Sequence, residues 1–317
     1  MTAGALVTVA IPVYNGAKEL PASLSLIRNQ TYDNLEIIIS DNASTDETPD
    51  ICATAARKDA RIRYFRQASN LGPTPNFNHA LSLKRGDFFM WAADDDEKAP
   101  TYIEKTVAAL LRNRDASMAC TWATLVMTTG ERVHRPYSSG IASSRVAERV
   151  EAFVADTQCF TFYGLYRASV VDAIGPIDPW LDADRRYLFK AILRGPFEVV
   201  PETLFRFQMA NTLDDYIKMG FKMRPGAADF DLDLYRHFPE LMRAAALDDE
   251  TIRETTAAMR RRLRPYLDNR AGYLISRALH DEKPRREKLR SLFAWGRQYP
   301  PMMRSRMFWG ALRRLLL

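Results

Sequence analysis

The chain has 317 residues, 47% hydrophobic and 26% charged, an ordinary globular composition with room for one large domain or two of usual size. No apolar run approaches the roughly 18 residues needed to cross a bilayer. The opening MTAGALVTVAIPVYN lacks a basic leader and a cleavage site, and three widely spaced cysteines (Cys52, Cys120, Cys159) make neither a metal signature nor a disulfide framework, all of which points to a cytoplasmic setting. The net charge of +6 is uneven: residues 285–317 carry nine Lys/Arg and one acid, net +8, leaving −2 for the rest, so the body of the chain offers no nucleic-acid groove.

Residues 6–13 form a β-rich apolar run, and 18–28 a helix with Leu20, Leu24 and Ile27 on one side. A strand over 35–40 leads to a helix over 46–58, with Ser44 or Thr45 as its cap and Glu47 in its first turn. Next come a short strand (62–65), a helix (75–84), a strand (87–91), a helix (101–112) and a strand (117–127). This alternation predicts an α/β fold, a mostly parallel sheet with helices on both faces. After Gly130 the rhythm changes. An amphipathic stretch at 145–155 is followed by a strand or turn running into a short helix (160–171), a helix (187–193) and strands (197–207). From about 212 the chain reads as a helical C-terminal extension rich in Arg, Ala and Leu.

Residues 88–96, FFMWAADDD, are the most informative run. Phe88, Phe89, Met90 and Trp91 read as a strand buried on both faces, and Asp94, Asp95 and Asp96 follow at its carboxyl end. Adjacent carboxylates repel, and burial raises that cost. A divalent cation relieves it, and hard oxygen donors suit Mg²⁺ or Mn²⁺, with Asp94 and Asp96 as ligands. The competing reading is a solvated acidic turn continuing into Glu97. Ligands of such sheets bind at the carboxyl ends of the strands, where Asn15 and Asp41 also fall.

Three loops share that edge. In VAIPVYNG, Pro12, Tyr14 and Asn15 make either an ordinary turn or a platform for a nucleotide, with Tyr14 stacking on the base. In SDNASTDET, Asp41 can accept an N–H from a base or a ribose hydroxyl. In NLGPTPNFN, Asn70, Gly72 and Asn78 open a helix whose N-terminus suits a diphosphate.

In this order the elements resemble the inverting family 2 glycosyltransferases of the GT-A, Rossmann-like fold. The resemblance rests on P-x-Y-N, the D-N-x-S-x-D context at 41–46, Asn70, Gly72 and Asn78, Gly86-Asp87 ahead of the acidic motif, and Pro100 after it. Downstream, Gly164 to Arg167, the Gly175-Pro176-Ile177-Asp178 turn and LDADRRYLFKAILRG continue it. Aligned so, Asp184 takes the general base's position and Lys190 a basic residue's. Ala183 stands where the family has an acid, and Arg206-Phe207-Gln208 lacks the family's histidine. The resemblance implies a catalytic domain over 1–211, with a nucleotide-sugar half (1–115) and an acceptor half (116–211), then a helical region (212–317). It implies transfer from a nucleoside-diphosphate sugar, with UDP or dTDP favoured and GDP open, to a glycan or lipid-linked acceptor in polysaccharide, lipopolysaccharide or glycoconjugate assembly. Tyr163, Gly164 and Trp180 are the acceptor-side candidates. A sugar-phosphate nucleotidyltransferase and a non-catalytic nucleotide-sugar-binding scaffold are the alternatives. The segment 302–317, MMRSRMFWGALRRLLL, is basic and amphipathic. It suits peripheral contact with the inner face of a membrane, packing on its own body, or a homodimer.

Overall fold

The computed structural model describes residues 4–316 except 128, 138, 157, 180–182, 210–229 and 281–283. It has two compact units, Met1–Ser144 with Thr157–Lys222, and Arg145–Asp156 with Met223–Leu317. The expected boundary at 211/212 lies outside the described residues.

The first unit is built on a nine-stranded mixed sheet of order β3-β2-β1-β4-β8-β6-β9-β5, with β7 on β6. Its first half is parallel: β1 (Val7–Val13), β2 (Leu35–Asp41), β3 (Ile62–Arg66) and β4 (Phe88–Trp91). Strands β1, β2 and β4 are buried along their whole length, as their mainly apolar sequences suit, with Thr8, Glu36, Ser40 and Asp41 the buried polar exceptions. Helices α1 (Leu20–Arg28), α2 (Thr48–Lys58) and α3 (Pro73–Ser82) connect them. The second half is mainly antiparallel. There β8 (Leu165–Arg167) pairs with both β4 and β6 (Met118–Val126), β7 (Arg132–Arg135) pairs with β6, and β5 (Glu97–Lys98) pairs with β9 (Phe197–Gln208). Only β6 and β9 run parallel there.

Gly86 explains one motif. A Cβ there would stand 2.6 Å from Leu6 O and 2.7 Å from Thr8 N, so only glycine lets the chain cross β1. Asp87 then accepts the Leu6 N–H at 2.9 Å. Ser44 and Thr45 do not cap α2. Glu47 holds that position without a side-chain bond, and Asp46 Oδ1 accepts the Thr48 N–H at 3.0 Å. The serine and threonine are drawn to Asn15 instead, a tertiary contact that outweighs the local one.

The remaining helices of this unit are α4 (Tyr102–Arg112), α6 (Ala168–Ile174) and α7 (Ala183–Arg194), with a five-residue 3₁₀ turn at Cys159–Tyr163. Helix α7 starts four residues earlier than periodicity suggests. It is buried on most sides, so it shows little amphipathic pattern.

The second unit is helical: α5 (Val146–Ala155), α8 (Phe230–Ala244), α9 (Asp249–His280), α10 (Arg285–Gln298), α11 (Pro300–Met303) and α12 (Arg306–Leu316). Helix α5, expected inside the acceptor half, packs against α9 instead. Its Val150 and Phe153 are buried there. The core gathers Leu267, Ala271, Leu274 and Ile275 of α9 with Leu292, Trp295, Phe308, Ala311, Leu312 and Leu315.

Candidate active site

Strand register brings Val13, Asp41 and Trp91 to one edge of the sheet. Asn15 adopts φ 54°, a left-handed conformation asparagine tolerates. Its N–H donates to Ser44 Oγ at 2.9 Å, and its Oδ1 accepts the Thr45 N–H at 2.8 Å. Two strand-end loops are thereby locked together, and the Tyr14 ring is left 46% exposed. Pro12 is buried within β1 opposite Ser40, so it shapes the strand end and presents no surface.

Asp41 is fully buried and occupied by its own protein. Its Oδ1 accepts the Ser44 N–H at 2.8 Å, and its Oδ2 accepts the Tyr64 hydroxyl at 2.8 Å and lies 3.3 Å from Arg66 Nε. Asn42, which sequence reasoning passed over, ties this loop to the next. Its amide donates to Asn70 Oδ1 (2.8 Å) and Gly72 O (3.0 Å), and its Oδ1 accepts the Leu71 N–H (2.9 Å). Gly72, at φ 87°, meets no neighbour that would exclude a side chain, so it is required by backbone conformation and not by space. Asn78 faces elsewhere in the fold. Its amide clasps Ile177 through both backbone groups, at 2.9 and 2.7 Å, holding the 175–178 turn. Asn76 is the helix residue that reaches the strand ends, bonding Ser40 O and Ser40 Oγ at 2.8 and 2.7 Å.

The three aspartates have three environments. Asp95 is exposed, Asp94 is half-buried and Asp96 is 3% exposed. Gly16 lies so close to the Asp94 carboxylate that a Cβ would collide with it, which joins the β1 loop to the acidic turn. Burial, then Asp95, pushes Asp94 up to about 7. Burial also pushes Asp96 up to about 6, against the pull of Lys98. Asp96 Oδ2 accepts the Ala93 N–H at 3.3 Å and lies 3.5 Å from Lys98 Nζ, while Oδ1 is buried without a hydrogen-bond partner.

Lys98 is the residue the sequence concealed. It is 1% exposed, with its ammonium 4.2 Å from the Phe205 ring centroid and within 5.8 Å of Tyr102 and Tyr163. Burial lowers its pKa. Strand β5 then pairs with β9 in register Glu97 to Arg206, and the two form an ion pair.

Asp184 sits in the first turn of α7. Burial raises its pKa, opposed by the Arg185 N–H on Oδ1 (2.8 Å) and a hydrogen bond from Cys159. Cys159 and Tyr163 are the two ends of the same 3₁₀ turn. Asp184 is therefore bonded to one end of that turn, and the Lys98–Asp96 pair lies against the other. Below it, Trp91 stacks on Phe162 (4.6 Å between centroids, 13°) and meets Tyr187 of α7 edge-on at 5.2 Å. The strand that ends in the acidic motif and the helix that carries Asp184 are thus mounted on one aromatic block.

Tyr163 and Gly164 belong to this region, but Gly164 is a packing residue. A Cβ there would lie 2.9 Å from Ala119 O and strike Met118. Trp180 and Asp182 lie outside the described residues. Lys190 pairs with Asp178 at 3.2 Å, alongside Arg186 at 3.3 Å. Oxygen donors at 94–96 suit a hard cation, and the orphaned Asp96 Oδ1 is an atom such a cation would satisfy. Among the described residues no group of three or more His, Cys, Asp or Glu forms a ready metal cage.

Residues 8–175, more than half of the chain, match the family Glycosyl transferase family 2. EpsH of Bacillus subtilis (strain 168) is 28% identical over 203 residues, 64% of this chain and 55% of EpsH. The GalNAc(5)-diNAcBac-PP-undecaprenol beta-1,3-glucosyltransferase of Campylobacter jejuni is 36% identical over 91 residues, 28% of this chain and 29% of that enzyme. The chain thus spans about half or less of the length of these curated relatives. S. aureus TarS 1-349, solved in complex with UDP-GlcNAc, shares the fold with TM-score 0.66 at 15% identity, covering 92% of this chain and 80% of that one. The match covers more than half of the chain and the strand order fits it: the chain belongs to glycosyl transferase family 2.

Proposed function

We propose that the chain transfers a sugar from a nucleoside-diphosphate sugar to an acceptor hydroxyl with inversion at the anomeric carbon. The observation that carries this reading is the 3₁₀ turn at 159–163, with Asp184 bonded to one end and the Lys98–Asp96 pair packed on the other. Asp184 accepts the acceptor hydroxyl's proton as that oxygen attacks. Its raised pKa makes it a stronger base, and a positioned base contributes about 10²–10⁴-fold. The exposed Tyr14 ring stacks on the donor's base. Asp41, already engaged by Ser44, Tyr64 and Arg66, holds the loop beside the nucleotide. Asn42, Asn70 and Gly72 shape the neighbouring wall.

Asp94 and Asp96 would hold Mg²⁺ or Mn²⁺, with substrate phosphates and water completing the shell. When bound, the cation would offset charge developing on the leaving diphosphate. UDP-sugars are the first donors to test, since TarS was solved with UDP-GlcNAc. A lipid-linked glycan is the first acceptor, since the Campylobacter relative is named for an undecaprenyl diphosphate substrate.

The test is metal-dependent hydrolysis and transfer from UDP-sugars by wild type and Asp184→Asn. Turnover is expected to fall about 10²–10⁴-fold in the variant with donor affinity unchanged. Near-normal turnover would remove Asp184 as the base. Pyrophosphate release from a nucleoside triphosphate and a sugar phosphate would indicate a nucleotidyltransferase, and donor binding with no turnover in wild type would indicate a scaffold.

A further inference from the structure

Helix α12 divides its residues sharply. Phe308, Ala311, Leu312 and Leu315 are buried in the core of the second unit. Met307, Trp309 and Leu316 are 57%, 55% and 57% exposed, and Arg306, Arg313 and Arg314 of the helix, with Arg304 in the turn before it, are exposed among them. At 3.6 residues per turn, Trp309 and Leu316 lie about 20° apart on one flank, next to Arg313 and Arg306. A Cβ on Gly310 would meet nothing within 4 Å, so this outer face is open. Met307 reaches within 3.5 Å of where a Gly272 Cβ would stand, and the next residue, Tyr273 of α9, is 55% exposed. Among the described residues none of the four arginines has a carboxylate at ion-pair distance. No helix among them is long and apolar enough to cross a membrane.

We propose that this face of the second unit docks on an anionic lipid surface, with Trp309 and Leu316 entering the headgroup region and the four arginines held at the phosphates. Basic helices with aromatic and aliphatic residues on the working side bind interfaces in this way, and tryptophan favours the interfacial layer. A second copy is disfavoured as the occupant. It would bring residues 285–317, net +8, against the same charge.

Flotation of the full chain with phosphatidylcholine vesicles, with and without about a quarter phosphatidylglycerol, tests this. Binding is expected only to the anionic vesicles and should weaken about tenfold or more at high salt. Trp309→Ser/Leu316→Ser is expected to reduce it about tenfold, and replacing the four arginines by glutamine to abolish it. Both variants should keep wild-type circular dichroism, since the altered side chains are outside the core. Equal binding to neutral vesicles, no binding by wild type, or variants that bind as wild type does would overturn the proposal. So would a wild-type dimer that ignores vesicles and that Trp309→Ser/Leu316→Ser dissociates.

Discussion

Lys98 shows how much of this site depends on single buried charges. Its ammonium faces Asp96 at 3.5 Å and is surrounded otherwise by Phe205, Tyr102 and Tyr163. Removing one partner of a buried pair leaves the other uncompensated, at a cost of about 3–5 kcal/mol. Lys98→Met should therefore lower stability by that order, read by urea unfolding. Lys98→Met/Asp96→Asn should recover most of it, because the neutral pair removes the orphaned charge. The residues EKAP carry no pattern that announces such a lysine. Its significance appears only when β5 pairs with β9 and the aromatic rings close round it. Asp184 was singled out through the family resemblance, and the structure places it in the first turn of α7. Asp41 ends β2 as expected but has more local partners than a strand-end acid suggests, since Tyr64 and Arg66 come from the neighbouring strand.

At the scale of elements, the glycines and the amphipathic helices make the sharpest predictions. Gly86 has backbone atoms of Leu6, Thr8 and Phe88 within 2.8 Å of a Cβ position. None of these can rotate away, so Gly86→Ala should destabilise the first unit by about 1–3 kcal/mol through forced backbone shifts. Differential scanning calorimetry would register this as a lower transition for that unit. In α12, Phe308→Ala empties a fully buried site and should cost about 3–5 kcal/mol. Trp309→Ala on the same helix should cost little, and chemical unfolding of the two variants side by side checks the contrast. Apart from the two-residue β5, helix and strand positions were readable through β6 because repeated burial imposes period and alternation. Helix α5 was readable as a helix but not as part of the second unit, since amphipathicity reports that a face is buried and not what buries it.

For the whole molecule, the acidic turn sets a pH dependence. Asp94 and Asp96 rise from an ordinary value of 3.8 to about 7 and about 6, chiefly through burial. Both bind more protons folded than unfolded between these limits. Their stabilising contribution is complete below pH 3.8 and is lost as pH rises through 6 and then 7. The chelated protein should lose more Tm between pH 5 and pH 8 than Asp94→Asn does. Mn²⁺ at pH 8 should restore wild type but not Asp94→Asn/Asp96→Asn, as thermal shift would show. Equal Mn²⁺ stabilisation of both would remove the turn as the metal site. From the residues alone came the α/β class, the acidic run after β4 and the basic tail, because each leaves a local pattern of period or charge; the family and the base candidate on α7 came from the resemblance that the ordered motifs carry. Tertiary structure decided the rest. It spent Asn78 on Ile177 and Asp41 on Tyr64 and Arg66, paired β5 with β9 to bury Lys98, and carried Asp184 and the Lys98–Asp96 pair to opposite ends of one five-residue turn. Those outcomes depend on which buried polar groups find partners across distant segments, and no local pattern encodes that.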